Sequence, residues 1–383
     1  MKNNRRGFIK NSSLMAALSF AGIHSAAANP PGSYVHKSNT AGRVNWPLSE
    51  GPTTPKMVLD CPRNPDKKLI RRFKQIGINY VNYRDLGPWK EPELRAALDF
   101  LKTNGITVIN MMHNVSSNII LAREGRDAEI AIFQESLRVA GACGLPNVEY
   151  NFYVDRLIEG YYEKEGRGGA GVTGFDNSKV KDLPAKPEIG IHRAGEIWEN
   201  LTYFLKAVIP VAEKAGVRMA LHPNDPVAQM SHGSDQVMAN LAGWKRLISI
   251  VDSPSNGITF DCGVTREMGE DPVEVCRYFG SRNRINHVHF RNVVSEIPYD
   301  KYTEVFIDEG QVNMFAVMQE LFRNGYNRGL YAEHPHILDY DREYPEGNNR
   351  SGGVAGGGGG GGHAAEIFNV AFARAMMFAV MSI

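Results

Sequence analysis

A rhythm constrains this chain more than any single motif. Between Met57 and Met381, short apolar runs alternate with longer amphipathic ones, eight times over. The short runs are Met57–Cys61, Ile78–Asn82, Ile106–Met111, Asn147–Asn151, Val217–His222, Gly257–Cys262, Arg284–Asn292 and Arg328–Glu333. Each is too brief for a stable helix and carries β-branched or aromatic residues, so each reads as a buried strand. The segments between them read as helices. Asp66–Gln75 is one, a second has Pro92 in its first turn, and Asp127–Cys143 places Ile130, Phe133, Leu137 and Ala140 on one face. Further helices are expected before Gly216, over Ser234–Val251, Pro272–Phe279 and Val312–Asn324, and from Ala364 to Met381. Repeated strand–helix units favour a parallel sheet, and eight of them favour an α/β fold closed as a single (β/α)8 TIM barrel. No G-x-G-x-x-G phosphate fingerprint follows the first strand, which argues against an open dinucleotide-binding sheet. The domain spans 56–383, and only the glycine-rich stretch 152–189 breaks the rhythm, as an inserted loop.

In a barrel the C-terminal strand ends meet at one mouth, so residues ending successive strands become neighbours. Strands five to eight finish in His222, Cys262, the pair His287 and His289, and Glu333. Alternation turns His287 and His289 to one side of their strand and Val288 and Phe290 to the other. One thiolate, two imidazoles and a carboxylate form a mixed donor set, suited to a divalent transition metal (Mn²⁺, Fe²⁺, Co²⁺ or Zn²⁺) rather than to Mg²⁺ or Ca²⁺. Such an ion acts as a Lewis acid on a hydroxyl or carbonyl oxygen. His334, beside Glu333, is a candidate general acid or base. Arg291 is a candidate partner for a substrate carboxylate, Asn292 for a hydroxyl, and His336 extends the polar rim. Alternation alone would turn His334 away from Glu333, so it reaches the mouth only if the chain leaves the strand there; Pro335 is compatible with an extended exit.

The totals narrow the class. With 43 basic and 42 acidic side chains among 383 residues, there is no electrostatic case for nucleic acid or an anionic membrane surface. Cys61, Cys143 and Cys276 read as core positions. Asn4-Arg5-Arg6-Gly7-Phe8-Ile9-Lys10, an apolar stretch from Leu14 to Ile23 and Ala26-Ala27-Ala28 resemble a cleavable twin-arginine export signal over 1–28. The expectation is a periplasmic or otherwise exported protein, with no membrane partner once the signal is removed. Residues 29–55 read as a linker, and a homo-oligomer is left open.

Several motifs together resemble the mannonate dehydratases, metal-dependent members of the xylose-isomerase-like barrels. They are Ala122-Arg-Glu-Gly-Arg-Asp127, Tyr150-Asn-Phe152, Arg218-Met-Ala-Leu-His-Pro-Asn-Asp-Pro226, Asp252-Ser-Pro-Ser-Asn-Gly-Ile-Thr259, His289-Phe-Arg-Asn292 and Glu309-Gly-Gln-Val-Asn-Met314. The resemblance implies dehydration of D-mannonate to 2-keto-3-deoxy-D-gluconate, with Mn²⁺ or Fe²⁺ held by His222, Cys262, His289 and Glu333. It implies His334 as the acid/base residue, and Asn151, Arg291, Asn292 and His336 around a small sugar-acid substrate. Two departures accompany it. Tyr153-Val-Asp-Arg-Leu157 stands where the family carries Met-Pro-x-x-Asp-Trp-Thr-Arg-Thr, and no tyrosine follows Tyr344, where a glycine run (356–362) takes the place of a tyrosine-bearing loop. A metal-dependent sugar isomerase or epimerase, or a non-catalytic sugar-binding barrel, are the alternatives on the same scaffold.

Overall fold

The computed structural model describes residues 47–296, 300–344 and 360–383. The export signal, most of the linker and the start of the glycine run lie outside the described residues. The eight expected strands are present: β1 (Lys56–Cys61), β2 (Tyr80–Tyr83), β3 (Thr107–Met112), β4 (Asn147–Tyr150), β5 (Arg218–Leu221), β6 (Asn256–Asp261), β7 (Ile285–His289) and β8 (Gly329–Tyr331). They follow one another round a closed parallel barrel, with β8 pairing back to β1. Asp66 caps the helix Lys67–Gln75 by accepting from Leu69 N, and Gly216, at φ 70°, ends Ala194–Ala215 in the left-handed conformation glycine allows.

Register decides which side chains enter the barrel. Glu149, Ala220 and Gly257 are level across β4, β5 and β6, and Asp261 is level with His289 across β6 and β7. Partners in a parallel pair face the same way, and facing reverses at each residue. Glu149, Ala220, His222, Thr259, Asp261, His287, His289, Gly329, Tyr331 and Glu333 therefore share the interior side. The alternate residues, Met219, Leu221, Ile258, Phe260, Val288 and Leu330, pack outward in the main core beneath the helices.

Two segments differ from the sequence expectation. The helix expected from Ser234 spans only Leu241–Ile250, capped by Asn240; before it, Met230–Ser231 and Ser234–Asp235 form a small hairpin turned by His232 and Gly233, both at positive φ. The stretch 152–189 is no simple loop. Its strands Tyr161–Glu165 and Gly171–Asp176 join Asn292–Glu296 and Lys301–Val305 in a four-stranded antiparallel sheet beside the barrel. Phe175 stacks on Tyr302 at 5.3 Å and, with Leu157, Val180 and Ala228, gives this sheet its own small core. The last helix, His363–Met381, is long and apolar enough to cross a membrane by length and composition, yet Val370, Ala373 and Met377 are buried in the main core.

Interior packing is tight at Gly329, where a Cβ would lie 2.8 Å from the His287 ring. Gly329→Ala should therefore destabilise the fold by about 1–3 kcal/mol through overpacking. An unchanged denaturant midpoint would show that the interior gives way there.

Candidate active site

Four groups converge at the mouth. His222 follows β5, Asp261 and His289 end β6 and β7, and Glu333 lies two residues beyond β8. His222, Asp261 and His289 each present a donor atom within 4.8 Å of the other two. His222 Nε2 meets His289 Nδ1 at 3.3 Å, Glu333 Oε2 approaches the same Nδ1 to 3.0 Å, and Asp261 Oδ2 stands 4.0 Å from it. Three of the four are almost wholly buried, and His222 forms the half-open side. Pro223 O accepts from His222 Nδ1 at 2.8 Å, which leaves Nε2 to face the cluster.

Cys262 is not in this group, which corrects the sequence expectation. One residue past Asp261, the thiol sits on the opposite face of the strand, inside the hydrophobic core at the start of the helix Cys262–Glu267. Burial, and then the neighbouring Asp261, push its ionisation well up, so it behaves as a small apolar group. Among the other cysteines Cys61 and Cys276 are buried as expected, Cys143 is half-exposed, and all four are free thiols.

Arg291 and Asn292 also have other work than that assigned from sequence. Arg291 is buried within a ring of carboxylates. Its Nε donates to Asp261 Oδ2 at 3.0 Å, Nη1 to Glu267 Oε1 at 2.9 Å and Nη2 to Asp225 Oδ2 at 3.3 Å, with Glu333 and Glu304 at 3.4 and 3.7 Å. Three of its five N–H groups are engaged in this way and the side chain is buried, so it is turned into the carboxylate ring. Gly263 allows this approach, since a Cβ there would meet the guanidinium at 2.9 Å. Asn292 donates to Ile307 O and Val312 O and accepts from Val312 N, so it clamps the 307–312 segment rather than facing a hydroxyl. His336 is no rim residue: it is buried, its ring 4.6 Å from that of Phe306. Asn151 does stand at the mouth, half-buried after β4, its amide donating to Met112 Sδ at 3.5 Å.

His334 reaches the mouth by a route the sequence did not suggest. Its φ is +50°, a left-handed turn rather than an extended exit. The turn brings the ring back beside Glu333, with Nε2 3.4 Å from Glu333 Oε2 and Nδ1 2.8 Å from Glu304 Oε2, a charge contact too skewed for a hydrogen bond. Burial opposes the imidazolium, but Glu304 and Glu333 outweigh it and raise the pKa.

Residues unremarked in the sequence complete the site. Tyr161 and Tyr302, from the covering sheet, both donate to Asp225 Oδ1, at 2.9 and 3.0 Å. Burial works against the Asp225 carboxylate, yet Arg291 brings its pKa down to about 2. The same opposition marks Glu333, held well below the ordinary carboxylate range by His289 and His334 despite burial. Five carboxylates therefore surround one guanidinium, with the imidazoles of His289 and His334 as the neighbouring positive groups. Glu333 Oε1 is also buried without a hydrogen bond. Two imidazoles and two carboxylates suit a divalent transition ion, so the residues present fit a metal.

With this geometry in place, comparison with known proteins is informative. The sequence model of the D-mannonate dehydratase (UxuA) family matches residues 189–356. The mannonate dehydratase 2 of Halalkalibacterium halodurans is 28% identical over 309 residues, covering 71% of this chain and 88% of that one. The mannonate dehydratase of Thermotoga petrophila is 30% identical over 267 residues, 61% of this chain and 73% of its own. The chain belongs to the mannonate dehydratase family. Among solved structures, the mannonate dehydratase of Streptococcus suis serotype 2 superposes with a TM-score of 0.74 at 24% identity, covering 85% of this chain and 95% of that one. A xylose isomerase domain protein from Planctomyces limnophilus, at 0.51 and 14% identity over 85% and 97% of the two chains, shares the barrel fold alone.

Burial alone would depress the His289 imidazolium, but Glu333 and Glu149 overcome it and its pKa is pushed up to about 10. In the metal-free mannonate dehydratase-family protein at pH 7 this ring is thus protonated, and a cation that takes Nδ1 must displace the proton. Cation affinity should therefore rise about tenfold per pH unit between pH 6 and 8, with about one proton released per ion. Calorimetry in buffers of different ionisation enthalpy measures that release, and heats independent of buffer would contradict it.

Proposed function

We propose that this chain is a metal-dependent sugar-acid hydro-lyase that converts D-mannonate to 2-keto-3-deoxy-D-gluconate and water. Family membership supports the reaction class, and the names of the relatives support the substrate. His222, Asp261, His289 and Glu333 would hold the ion, Mn²⁺ or Fe²⁺ being the best match to their nitrogen and carboxylate donors. When bound, such an ion supplies Lewis-acid polarisation of substrate oxygens.

The protein's own residues supply the rest. Dehydration removes a proton from C2 and delivers one to the hydroxyl departing from C3. His334 is suited to the delivery: against the effect of burial, Glu304 and Glu333 raise its pKa and so favour the proton-bearing form, and its left-handed turn aims it beside Glu333. That placement is the observation on which the reading rests. Arg291 fixes the carboxylates of Asp261 and Glu333 in orientation, while Tyr161 and Tyr302 tie the covering sheet to Asp225 and so limit water at the mouth.

Incubating Mn²⁺-loaded protein with D-mannonate should yield a 2-keto-3-deoxy acid, and His334→Asn should retain metal while losing about 10²–10⁴-fold in turnover. Near-normal turnover of the folded variant would remove His334 from the mechanism; absence of product from the parent protein would overturn the substrate. The twin-arginine segment belongs to the same reading, with the protein exported after its site is loaded. Replacing Arg5 and Arg6 by Lys should hold precursor in the cytoplasm, and undiminished export would refute that route.

A further inference from the structure

We propose that Glu149 is the positioning residue of His289: its carboxylate stands as a charge against the ring nitrogen that faces away from the mouth and so leaves the other nitrogen to face the metal donors. The inference rests on the reading that His222, Asp261, His289 and Glu333 hold a cation. It adds a residue that none of the site motifs contains.

The two nitrogens of His289 look in different directions. Nδ1 faces His222 Nε2 at 3.3 Å and Glu333 Oε2 at 3.0 Å, while Nε2 faces Glu149 Oε1 at 3.3 Å. A neutral imidazole has one N–H and one lone pair, and an ionised carboxylate can only accept. With Glu333 at Nδ1 and Glu149 at Nε2 the metal-free ring can carry both hydrogens. The one that a cation displaces is on Nδ1, the nitrogen facing His222 and Glu333, which leaves the remaining hydrogen on Nε2 toward Glu149. A carboxylate in this position also strengthens the imidazole as a donor and stops the ring from turning.

Glu149 is itself held for the task. Asn147 Nδ2 donates to Asn110 Oδ1 at 2.7 Å, Asn110 Nδ2 donates to Glu149 Oε2 at 3.0 Å, and Thr259 Oγ1 donates to Glu149 Oε1 at 2.7 Å. These residues come from β3, β4 and β6, so the carboxylate is braced from three strands. It crosses the interior to β6 and β7 because the strand between, β5, presents only the methyl group of Ala220 at that level. Every member of the chain is buried. A charged side chain so deep, between Val148 and Tyr150, would be costly unless its partners needed it. Glu149 can also gather with His287 and His289 as a three-donor group of its own, with His287 Nε2 buried and without a hydrogen bond. Glu149 stands on the Nε2 side of His289, opposite the nitrogen that faces His222 and Glu333, which favours the positioning role over that of a ligand to the ion at the mouth.

The test uses Co²⁺ with the full-length protein, reading affinity by chelator competition and ligand field by visible absorption. Glu149→Gln keeps the shape but removes the charge, and should weaken Co²⁺ by about 10–100-fold with an altered spectrum and unchanged stoichiometry of one ion per chain. Thr259→Val, which removes one brace and leaves the carboxylate, should weaken Co²⁺ in the same direction by less; it carries the test if Glu149→Gln fails to fold. Unaltered affinity and spectrum in the folded variants would overturn the positioning role while leaving the metal site standing. Two ions in the parent protein and one in Glu149→Gln would overturn it by making Glu149 a ligand. No Co²⁺ binding by the parent protein would overturn both the inference and the metal reading beneath it.

Discussion

Everything at the barrel mouth is organised around one buried guanidinium. Arg291 lies just past β7 and touches carboxylates from the loop after β5 (Asp225), the end of β6 (Asp261), the helix behind it (Glu267), the covering sheet (Glu304) and the segment after β8 (Glu333). No other charge could be placed there at comparable cost. Removing it would leave five acidic groups facing one another away from water, and they would take up protons or move apart. Burial already lifts Glu267 well above the ordinary carboxylate range and raises Asp261, so some of that relief operates in the intact protein. Arginine suits the position because its planar fork offers several donors in fixed directions and stays charged.

The barrel itself was legible in the sequence, and the reason is repetition. Eight units with the same order of strand and helix admit few closed arrangements, and the boundary of each strand hardly matters to that inference. Boundaries were less secure where the signal was local. Ser234 and Asp235 could have opened a helix by composition, but His232 and Gly233 take positive φ and turn a hairpin before Asn240 caps the real helix. The covering sheet was not legible at all. Its strands pair residues far apart in the chain, and nothing local in Tyr161–Glu165 announces a partner at Lys301–Val305.

For the site, some of the residues that meet at the mouth were legible and facing was not followed through. His222, His289 and Glu333 converge as expected, and the alternation that favours both histidines on one side applies equally to β6. Thr259 and Asp261 face inward with them and Cys262 faces out, so the softer, rarer donor drew attention from the adjacent aspartate. Glu149 left a faint trace, a carboxylate in a strand whose four residues are all buried. His334 could not have been placed from alternation or from Pro335, because a left-handed residue before proline is an exception to both. Asn292 and Arg291 were read by chemical type, and their true partners are set by segments that only the folded chain brings near.

The covering sheet has a consequence for how the protein is made. Asp176 pairs with Lys301, and the Tyr161 and Tyr302 hydroxyls meet at Asp225, across more than a hundred intervening residues that include β5, β6 and β7. Closing so long a span is slow relative to local pairing, because the chain's entropy is spent before the contacts repay it. During synthesis the hairpin of Tyr161–Asp176 emerges early and waits without its neighbour, while the barrel strands between are still being added. Asp225 cannot receive both phenol hydroxyls until Tyr302 has arrived. The sheet is thus completed late, once Lys301–Val305 has followed β5, β6 and β7 out, with only β8 and Glu333 of the mouth still to come.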